Sequence, residues 1–298
     1  MLAPSVLDGP ALLQHGPHAT RAAGLCVTEA VAWAAGESHT DRPLCLCPVL
    51  AAWARAWNDR LPDDATRTRL LAPLIGPLVR SQVCAPAAEQ RAALAFEWLI
   101  HTYAPAWLAL RPTLRRRAAA LRGMRTAGAG GDLARVQRAL VGIRERASAD
   151  WDRVWLDAWR TAADSRTIAG RRAGAVWRAA WAAAWAAAWD AGSLAGWDAA
   201  RAAADRPAWA DARALAWHSA WAAARASVLS VAWRAAAASS PGEEYAAAHA
   251  AASAILSEVV GTLQESAVEL GMRMTEVGER AAHAAATSSR RVWWLFQR

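Results

Sequence analysis

The sequence has few of the residues that specify sheets, disulfide frameworks or enzyme motifs. It contains no lysine, only two Phe, two Tyr and four Cys residues in 298. Four cysteines in a chain of this length do not make a disulfide framework, so we expect thiols. No segment shows a sustained alternation of apolar and polar residues with β-branched side chains, which argues against a sheet.

The sequence also lacks the short motifs that accompany common enzyme chemistry. It has no phosphate-binding loop, dinucleotide fingerprint, serine-centred elbow or paired-histidine metalloprotease motif. The Gly-rich stretch at residues 128–131 follows an Arg-rich helix pattern rather than a strand pattern, so it indicates a linker. These absences favour a non-enzymatic protein, and they predict no cofactor.

Targeting and membrane signals are missing as well. The N-terminus has no basic region, and Pro4, Gly9 and Pro10 interrupt any apolar run. The longest apolar run of the tryptophan repeat, residues 179–189, is too short to span a bilayer. We therefore expect a cytoplasmic protein without a transmembrane segment.

What the sequence has in abundance is tryptophan and alanine. From Trp177 to Trp233 the tryptophans recur at gaps of four, eight or twelve residues, mostly with alanine between them. A helix turns about 100° per residue, so a four-residue step advances about 40° and the indoles form a spiral. Alanine is the best helix former. The members of this Trp band are Trp177, Trp181, Trp185, Trp189, Trp197, Trp209, Trp217, Trp221 and Trp233.

The Trp band has three interpretations. Its indoles can be the core of a helical bundle, packed as bulky side chains against alanine. Part of the band can instead be exposed and form an interface with a second copy or a protein partner, for which Trp is a preferred anchor. A tryptophan-lined cavity for a flat or cationic ligand is the third interpretation. We treat all members of the band as candidate interaction residues.

The net charge of +8 is concentrated in one stretch. Residues 111–146 contain ten Arg against only Asp132 and Glu145. An Arg-rich face can bind nucleic acid or another polyanion through its phosphates, whereas most such runs are solvated faces that pair with acids elsewhere. The candidate polyanion-binding residues are Arg111, Arg115, Arg116, Arg117, Arg122, Arg125, Arg135 and Arg138.

A small group of soft ligands is the third feature with potential chemistry. His39, Cys45 and Cys47 lie within nine residues. Zinc sites use four thiolate or imidazole ligands, but Cys-x-Cys lacks the usual paired Cys-x-x-Cys spacing. Buried structural thiols are the alternative, and nucleophilic catalysis by Cys45 or Cys47 with His39 or His101 has no geometric signal in the sequence.

The chain divides into four predicted parts. They are an N-terminal helical module (1–122), a Gly-rich linker (123–131), a long-helix Trp/Ala repeat bundle (132–286) and a basic aromatic tail (287–298) that follows a Ser/Thr-rich break at 287–289. In the last long helix, apolar residues alternate at gaps of four and three and predict a buried heptad seam. The seam comprises Leu256, Val260, Leu263, Ala267, Leu270, Met274 and Val277.

Helix boundaries follow from proline, glycine and capping residues. We expect a first helix over residues 20–35 and another that begins at Pro48. A helix over residues 87–103 should end at Pro105, before a basic helix over 106–122. Gly170 and Gly174 should flank a break, and Ser240, Pro241 and Glu243 form a capping box that should begin the last long helix. The fold class is therefore all-α.

The stretch 40–59, Thr-Asp-Arg-Pro-Leu-Cys-Leu-Cys-Pro-Val-Leu continuing through Ala-Trp-Ala-Arg-Ala-Trp-Asn-Asp, resembles a set of uncharacterised Ala-rich bacterial proteins. Residues 61–64, 71–79, 97–108 and 263–270 are similar to the same set. The resemblance implies an N-terminal helical module followed by a Trp/Ala/Arg/Asp tetrapeptide-repeat region. It covers most of the chain, implies no activity or catalytic residue, and does not extend to the aromatic tail.

These observations lead to one functional hypothesis and two alternatives. The chain is expected to be a non-enzymatic interaction or scaffold protein that self-associates through its Trp/Ala helices. The first alternative is nucleic-acid or polyanion binding by residues 111–146. The second is an enzyme or a metal-binding protein that uses His39, Cys45 and Cys47.

Overall fold

The computed structural model describes the backbone of residues 12–79, 81–82, 85–124, 133–163 and 168–295, and their side chains except at 161–163, 168–171 and 278–295. Every regular element in these ranges is a helix, and they contain no strand, which confirms the all-α class. The α-helices are α1 (Val27–Ala34), α2 (Pro48–Asn58), α3 (Asp64–Leu71), α4 (Ile75–Leu78), α5 (Ala85–Trp98), α6 (Ala104–Ala109), α7 (Arg115–Arg122), α8 (Leu133–Ala163), α9 (Ile168–Leu194), α10 (Trp197–Ala203), α11 (Ala210–Ala238) and α12 (Glu244–Leu295).

The helices form two compact units, each made of separate stretches of chain. The first unit comprises the described residues of Met1–Phe96, Asp198–Asp205 and Glu265–Arg298, and the second those of Glu97–Trp197 and Arg206–Gln264. Neither boundary coincides with the predicted linker, of which residues 125–131 lie outside the described residues. The four-part division therefore stays a prediction.

The first unit has a core of indoles and leucines with buried polar groups. Trp53 and Trp57 of α2 are fully buried, with ring centroids 5.2 Å apart. Gly271 of α12 packs so closely on Trp53 that an added Cβ would lie 2.6 Å from Cη2 of that ring. Arg91 is also fully buried, and its guanidinium donates hydrogen bonds to the carbonyl oxygens of Met274 and Ser81.

The second unit is organised around α11. This helix packs against α8, α9, α6 and the π-helical segment Leu99–Tyr103. Ring contacts fix its direction relative to α9, because Trp177 contacts Trp233 whereas Trp189, further along α9, contacts Trp217. The two long helices are therefore antiparallel.

The first helix is shorter than the sequence predicts. It begins at Val27 rather than near residue 20. The side chain of Glu29 accepts a hydrogen bond of 2.8 Å from the Cys26 N–H, and this reciprocal capping box fixes the first turn. Gly24, just before it, has φ +146°, a conformation outside the helical region. The predicted start of α2 at Pro48 is confirmed.

Pro105 does not end a helix, contrary to the prediction. Residues 85–109 run through α5, the π-helical segment and α6 without interruption, and the break comes at residues 110–111 instead. Pro105 lies in the first turn of α6, where the N–H of Ala104 donates to the Leu99 carbonyl five residues back. The wider π turn relieves the clash between a proline ring and the carbonyl four residues before it.

The predicted starts of the helices α9 and α12, which were based on glycine and proline, differ from the structure. The helix α9 begins at Ile168 and continues through Gly170 and Gly174, so the predicted break between them is wrong. The last helix begins at Glu244 rather than at Ser240. Gly242 has φ +95°, and the Glu243 N–H donates to the Ser240 carbonyl, so Ser-Pro-Gly-Glu closes a turn of the type that needs glycine at its third position.

The helix α12 confirms most of the heptad seam. Leu256, Leu263, Ala267, Leu270, Met274 and Val277 are buried, and Val260 is half-buried. The backbone is helical through residues 287–289, so the predicted Ser/Thr-rich break is wrong. Within the described residues, one helical stretch, Glu244–Val277, is long enough and apolar enough to cross a membrane. Core helices of soluble proteins meet the same criterion of length and composition, so the predicted lack of a transmembrane segment stays a prediction.

Candidate functional site: an exposed tryptophan strip

The buried face of α9 beyond Trp177 consists mainly of alanine. Side chains at positions 180, 183, 184, 187, 188 and 191 are all alanine and are buried. The helix α11, against which α9 packs, likewise buries alanines at 212, 216, 220 and 223. Small side chains let the two backbones approach closely. On α9 the core interpretation therefore applies to Trp177, whereas Trp181, Trp185 and Trp189 are exposed.

The Trp band divides into three groups by exposure. Trp177 and Trp197 are buried, each with 6% of its surface accessible. The half-buried members are Trp209, Trp217, Trp221 and Trp233. The exposed members are Trp181, Trp185 and Trp189, with 38%, 37% and 46% of their surfaces accessible. These last three follow one another at four-residue spacing on α9, and we call them the Trp strip.

The buried Trp197 and the half-buried Trp217 pack on Tyr103 of the π-helical segment. The ring centroid of Tyr103 lies 5.0 Å from that of Trp197 and 6.4 Å from that of Trp217. Its hydroxyl donates a hydrogen bond of 3.1 Å to the Gly192 carbonyl. A Cβ on Gly192 would lie 2.8 Å from Trp217. Glycine is therefore required here by the close approach of α9 to the two rings.

The Trp strip rests on indoles of α11. Trp185 contacts Trp221 edge-on at a centroid distance of 4.0 Å, and Trp189 contacts both Trp217 and Trp221. Trp181 contacts Trp185 at 5.6 Å. Each exposed ring thus contacts at least one other ring while about 40% of the residue's surface stays accessible to solvent.

A cation lies among these rings. The guanidinium carbon of Arg225 is 4.0 Å from the ring centre of Trp221, 4.3 Å from that of Trp151 and 4.5 Å from that of Trp185. Burial lowers the pKa of Arg225 to about 10, against a smaller opposing effect of Asp152. The group therefore stays cationic at neutral pH, and it stiffens the base of the strip through cation–π contacts.

A second aromatic cluster extends the surface from α9 to α8. Trp155 and Trp159 stack with planes 1° apart, and both contact Trp177 edge-on. Trp159 is 44% accessible and its neighbour Leu156 is 39% accessible. Four exposed indoles therefore belong to helices that pack against each other. The sequence pattern gives the spacing of these tryptophans but not the side they face.

The Arg-rich segment is partly used for internal contacts. Arg111 donates from Nε to the buried carboxylate of Asp150 at 2.6 Å and from Nη1 to the Ala226 carbonyl at 3.2 Å, so its guanidinium is engaged within the fold. Arg125 lies outside the described residues. The other candidates remain at the surface, exposed or, for Arg117, half-buried: Arg115, Arg116, Arg117, Arg122, Arg135 and Arg138. Polyanion binding by these residues stays a prediction.

The His/Cys segment serves the fold of the first unit. His39 Nε2 lies 2.9 Å from the His18 carbonyl, and the N–H of Cys47 donates to Ser81 Oγ. The N–H of Cys45 donates to the Glu37 carboxylate at 2.7 Å. In the part of the chain that the structure describes, no three His, Cys, Asp or Glu residues are arranged to hold a metal ion. His39, Cys45 and Cys47 thus form no such group.

The sequence analysis missed two residues with central contacts, one beneath the Trp strip and one in the first unit. One is Arg225, which follows Trp217 and Trp221 at the same four-residue step, so the repeat gives its register but not its cation–π contacts. The other is Glu29, a buried carboxylate that accepts hydrogen bonds from the backbone N–H groups of His18 and Cys26 and lies 2.9 Å from His18 Nδ1.

Comparisons of the chain with protein-family models, curated proteins and solved structures find no significant match.

Proposed function

We propose that this chain is a non-enzymatic interaction protein that associates with a second copy of itself through the Trp strip. The observation that carries the proposal is the exposure of Trp181, Trp185 and Trp189 on a helix whose buried face beyond Trp177 is mainly alanine. Large aromatic side chains favour burial, and tryptophan is enriched at the centres of protein interfaces. Solvent-facing indoles in sequence order therefore mark an association surface.

The shape of the strip supports a second copy as the occupant. Four residues of helix rise about 6 Å, so the indoles stand at this interval with Ala182 and Ala186 between them. An antiparallel copy presents the same alternation of bulky and small residues. The indoles of one chain can therefore lie over the alanines of the other, as required of an interface with two-fold symmetry.

The area of the strip sets the expected affinity. A tryptophan buries at most about 250 Å², so the three indoles of the strip, each exposed by about 40%, offer roughly 300 Å². A stable interface buries about 800 Å² per partner. The three indoles supply a little over a third of this area, and neighbouring residues must supply the rest. We therefore expect a weak, concentration-dependent dimer rather than an obligate one.

Sedimentation velocity between about 1 and 100 μM tests the proposal, since this range brackets the affinities of weak interfaces. The wild-type chain should shift from monomer to dimer with rising concentration. Trp181→Gln should weaken association about tenfold or more, as loss of an interface anchor does. Trp181 is the best position for the change because its ring contact is with Trp185, itself exposed.

Leu44→Gln provides a matched control. Leu44 is 85% accessible and belongs to the other unit, so its replacement removes an exposed apolar side chain without touching the strip. Dimerisation should be unchanged in this variant. A wild-type chain that remains monomeric over the whole range, or equal weakening by both changes, refutes the proposal.

A further inference from the structure

The guanidinium of Arg225 lies in an aromatic cage, which comprises the rings of Trp151, Trp185 and Trp221. The guanidinium carbon is within 4.5 Å of all three ring centres. These distances are well inside the limit of about 6 Å for a cation–π contact. The three rings belong to α8, α9 and α11, so one cation links three helices of the second unit.

The indole faces compensate the charge of Arg225 where hydrogen bonds do not. Its Nε is buried and has no hydrogen-bond partner in the part of the chain that the structure describes. Asp152 acts on the charge from α8 and is itself exposed to solvent. A half-buried guanidinium has lost part of its hydration, and the negative faces of the indoles offset part of that loss. The cage is therefore the place where this charge is stabilised.

Trp185 connects the cage with the Trp strip. It is the middle member of the strip, and 37% of its surface is accessible although its ring contacts both Arg225 and Trp221. Trp181 contacts Trp185, and Trp189 contacts Trp221, so all three indoles of the strip adjoin the cage or its rings. An exposed side chain without such support samples several rotamers, and their loss on association reduces affinity. The cage therefore orders the strip before it meets a partner.

We propose that Arg225 is a positioning residue for the Trp strip, whose charge fills the aromatic cage and fixes the ring of Trp185 in the orientation used for self-association. The role in association rests on the proposed function, whereas the fixed ring of Trp185 is a property of the single chain. An apolar side chain of similar length would fill the same space without attraction to the ring faces. The charge of Arg225, rather than its volume, is therefore the property to test.

Arg225→Met separates the charge from the volume, because methionine keeps an unbranched side chain in the cage and removes the cation. A desolvated cation–π contact corresponds to about thirtyfold in an equilibrium constant, and a dimer contains two cages, so sedimentation velocity should show an affinity at least about tenfold weaker. Arg234→Met is the matched control, since Arg234 is exposed on the same helix. It should leave the affinity unchanged.

Fluorine NMR of the full chain labelled with fluorotryptophan reports on the ring of Trp185 directly. The spectrum of Trp185→Phe identifies its signal. At concentrations at which the chain is monomeric, this signal should be one sharp line in the wild type and in Arg234→Met. In Arg225→Met it should broaden or split, because the released ring exchanges between rotamers. A general loss of stability does not produce this change at one ring, and circular dichroism melts measure that loss separately.

Arg225→Ala vacates the cage and allows a rescue. Guanidinium chloride at about 20 mM, far below the molar concentrations that unfold proteins, should sharpen the Trp185 signal again and strengthen the dimer at least about threefold. Urea has a similar planar shape without the charge and should do neither. Sodium chloride at the same concentration controls for ionic strength.

The results distinguish the role of Arg225 from the proposed function. A wild-type dimer whose affinity is unchanged in Arg225→Met overturns the positioning role and leaves the association intact. Rescue by urea as strong as that by guanidinium shows a space-filling role and also overturns it. A monomeric wild type refutes the association. In that case the Trp185 signal decides alone: broadening in Arg225→Met supports the fixed ring, and an unchanged line overturns it.

Discussion

Alanine at position 271 should destabilise the protein, although the same change elsewhere on α12 should stabilise it. Gly271 and Gly261 both lie inside this helix. Replacing glycine by alanine in a helix interior contributes about 1 kcal/mol of stability. At Gly261 the new methyl group meets nothing within 4 Å, so the full gain should appear.

At Gly271 the methyl group has no space. Its Cβ would lie 2.6 Å from Cη2 of Trp53, whereas favourable carbon contacts begin near 3.5 Å. The ring must therefore move by about 1 Å. Trp53 is fully buried beside Trp57, so this displacement disturbs a packed core. Overpacking costs about 1–3 kcal/mol, which outweighs or cancels the helix gain. The net change should lie between zero and about 2 kcal/mol of destabilisation.

Urea unfolding of the two variants, followed by far-ultraviolet circular dichroism, measures the difference. The free energies should differ by about 1–3 kcal/mol in favour of Gly261→Ala. A double variant, Trp53→Phe with Gly271→Ala, tests the cause, because the smaller ring leaves room for the methyl group and the two changes should couple favourably. Equal stabilisation by both single changes would refute the packing described for α12 and α2.

Two further predictions concern buried carboxylates. Burial by itself raises the pKa of Glu29, but hydrogen bonds from His18 and Cys26 outweigh it and hold the pKa below its usual value. The stabilisation by the ionised Glu29 is therefore present above about pH 4.5 and is lost as the pH falls through the lowered pKa. In urea unfolding between about pH 7 and 3, Glu29→Gln should reduce the loss of unfolding free energy at low pH. Glu258→Gln, at an exposed site, should leave that loss unchanged. Arg111→Ala should lower the free energy of unfolding by about 3 kcal/mol, because among the described residues it leaves the buried Asp150 carboxylate with Arg153 alone as its charged partner. Thermal unfolding measures this loss. In the control, Arg116→Ala should match the wild type within about 0.5 kcal/mol.

The helical class and the long helices are predictable because their signals are local. Alanine favours helix at every position where it occurs. The heptad spacing of α12 predicts which face of the helix is buried, whichever elements pack against that face. Proline and glycine were less reliable because their effect depends on the surrounding turn. Pro105 is accommodated by a π turn, and Gly242 converts a capping-box pattern into a separate turn.

The orientation of the Trp strip depends on tertiary packing and could not be read from the sequence. A four-residue repeat places Trp and Ala on different faces of α9, but either face can turn inward. The close contact of α9 with α11 and with Tyr103 favours the smaller side chains, and Gly192 is required at that contact. Asp150 pairs with Arg111, which is distant in sequence, and Arg225 contacts Trp151 and Trp185 of other helices, so periodicity gives no signal for these contacts.

The alanine-lined contact of α9 with α11 makes mutational tolerance asymmetric. A leucine core loses stability when side chains become smaller, and it can accept some shrinkage at each position. Buried alanines such as Ala184 and Ala220 have almost no side chain to lose, so nearly every substitution there enlarges the residue and forces the helices apart. The range of tolerated residues should therefore be smaller at the buried alanine positions than at the exposed positions of the same helices.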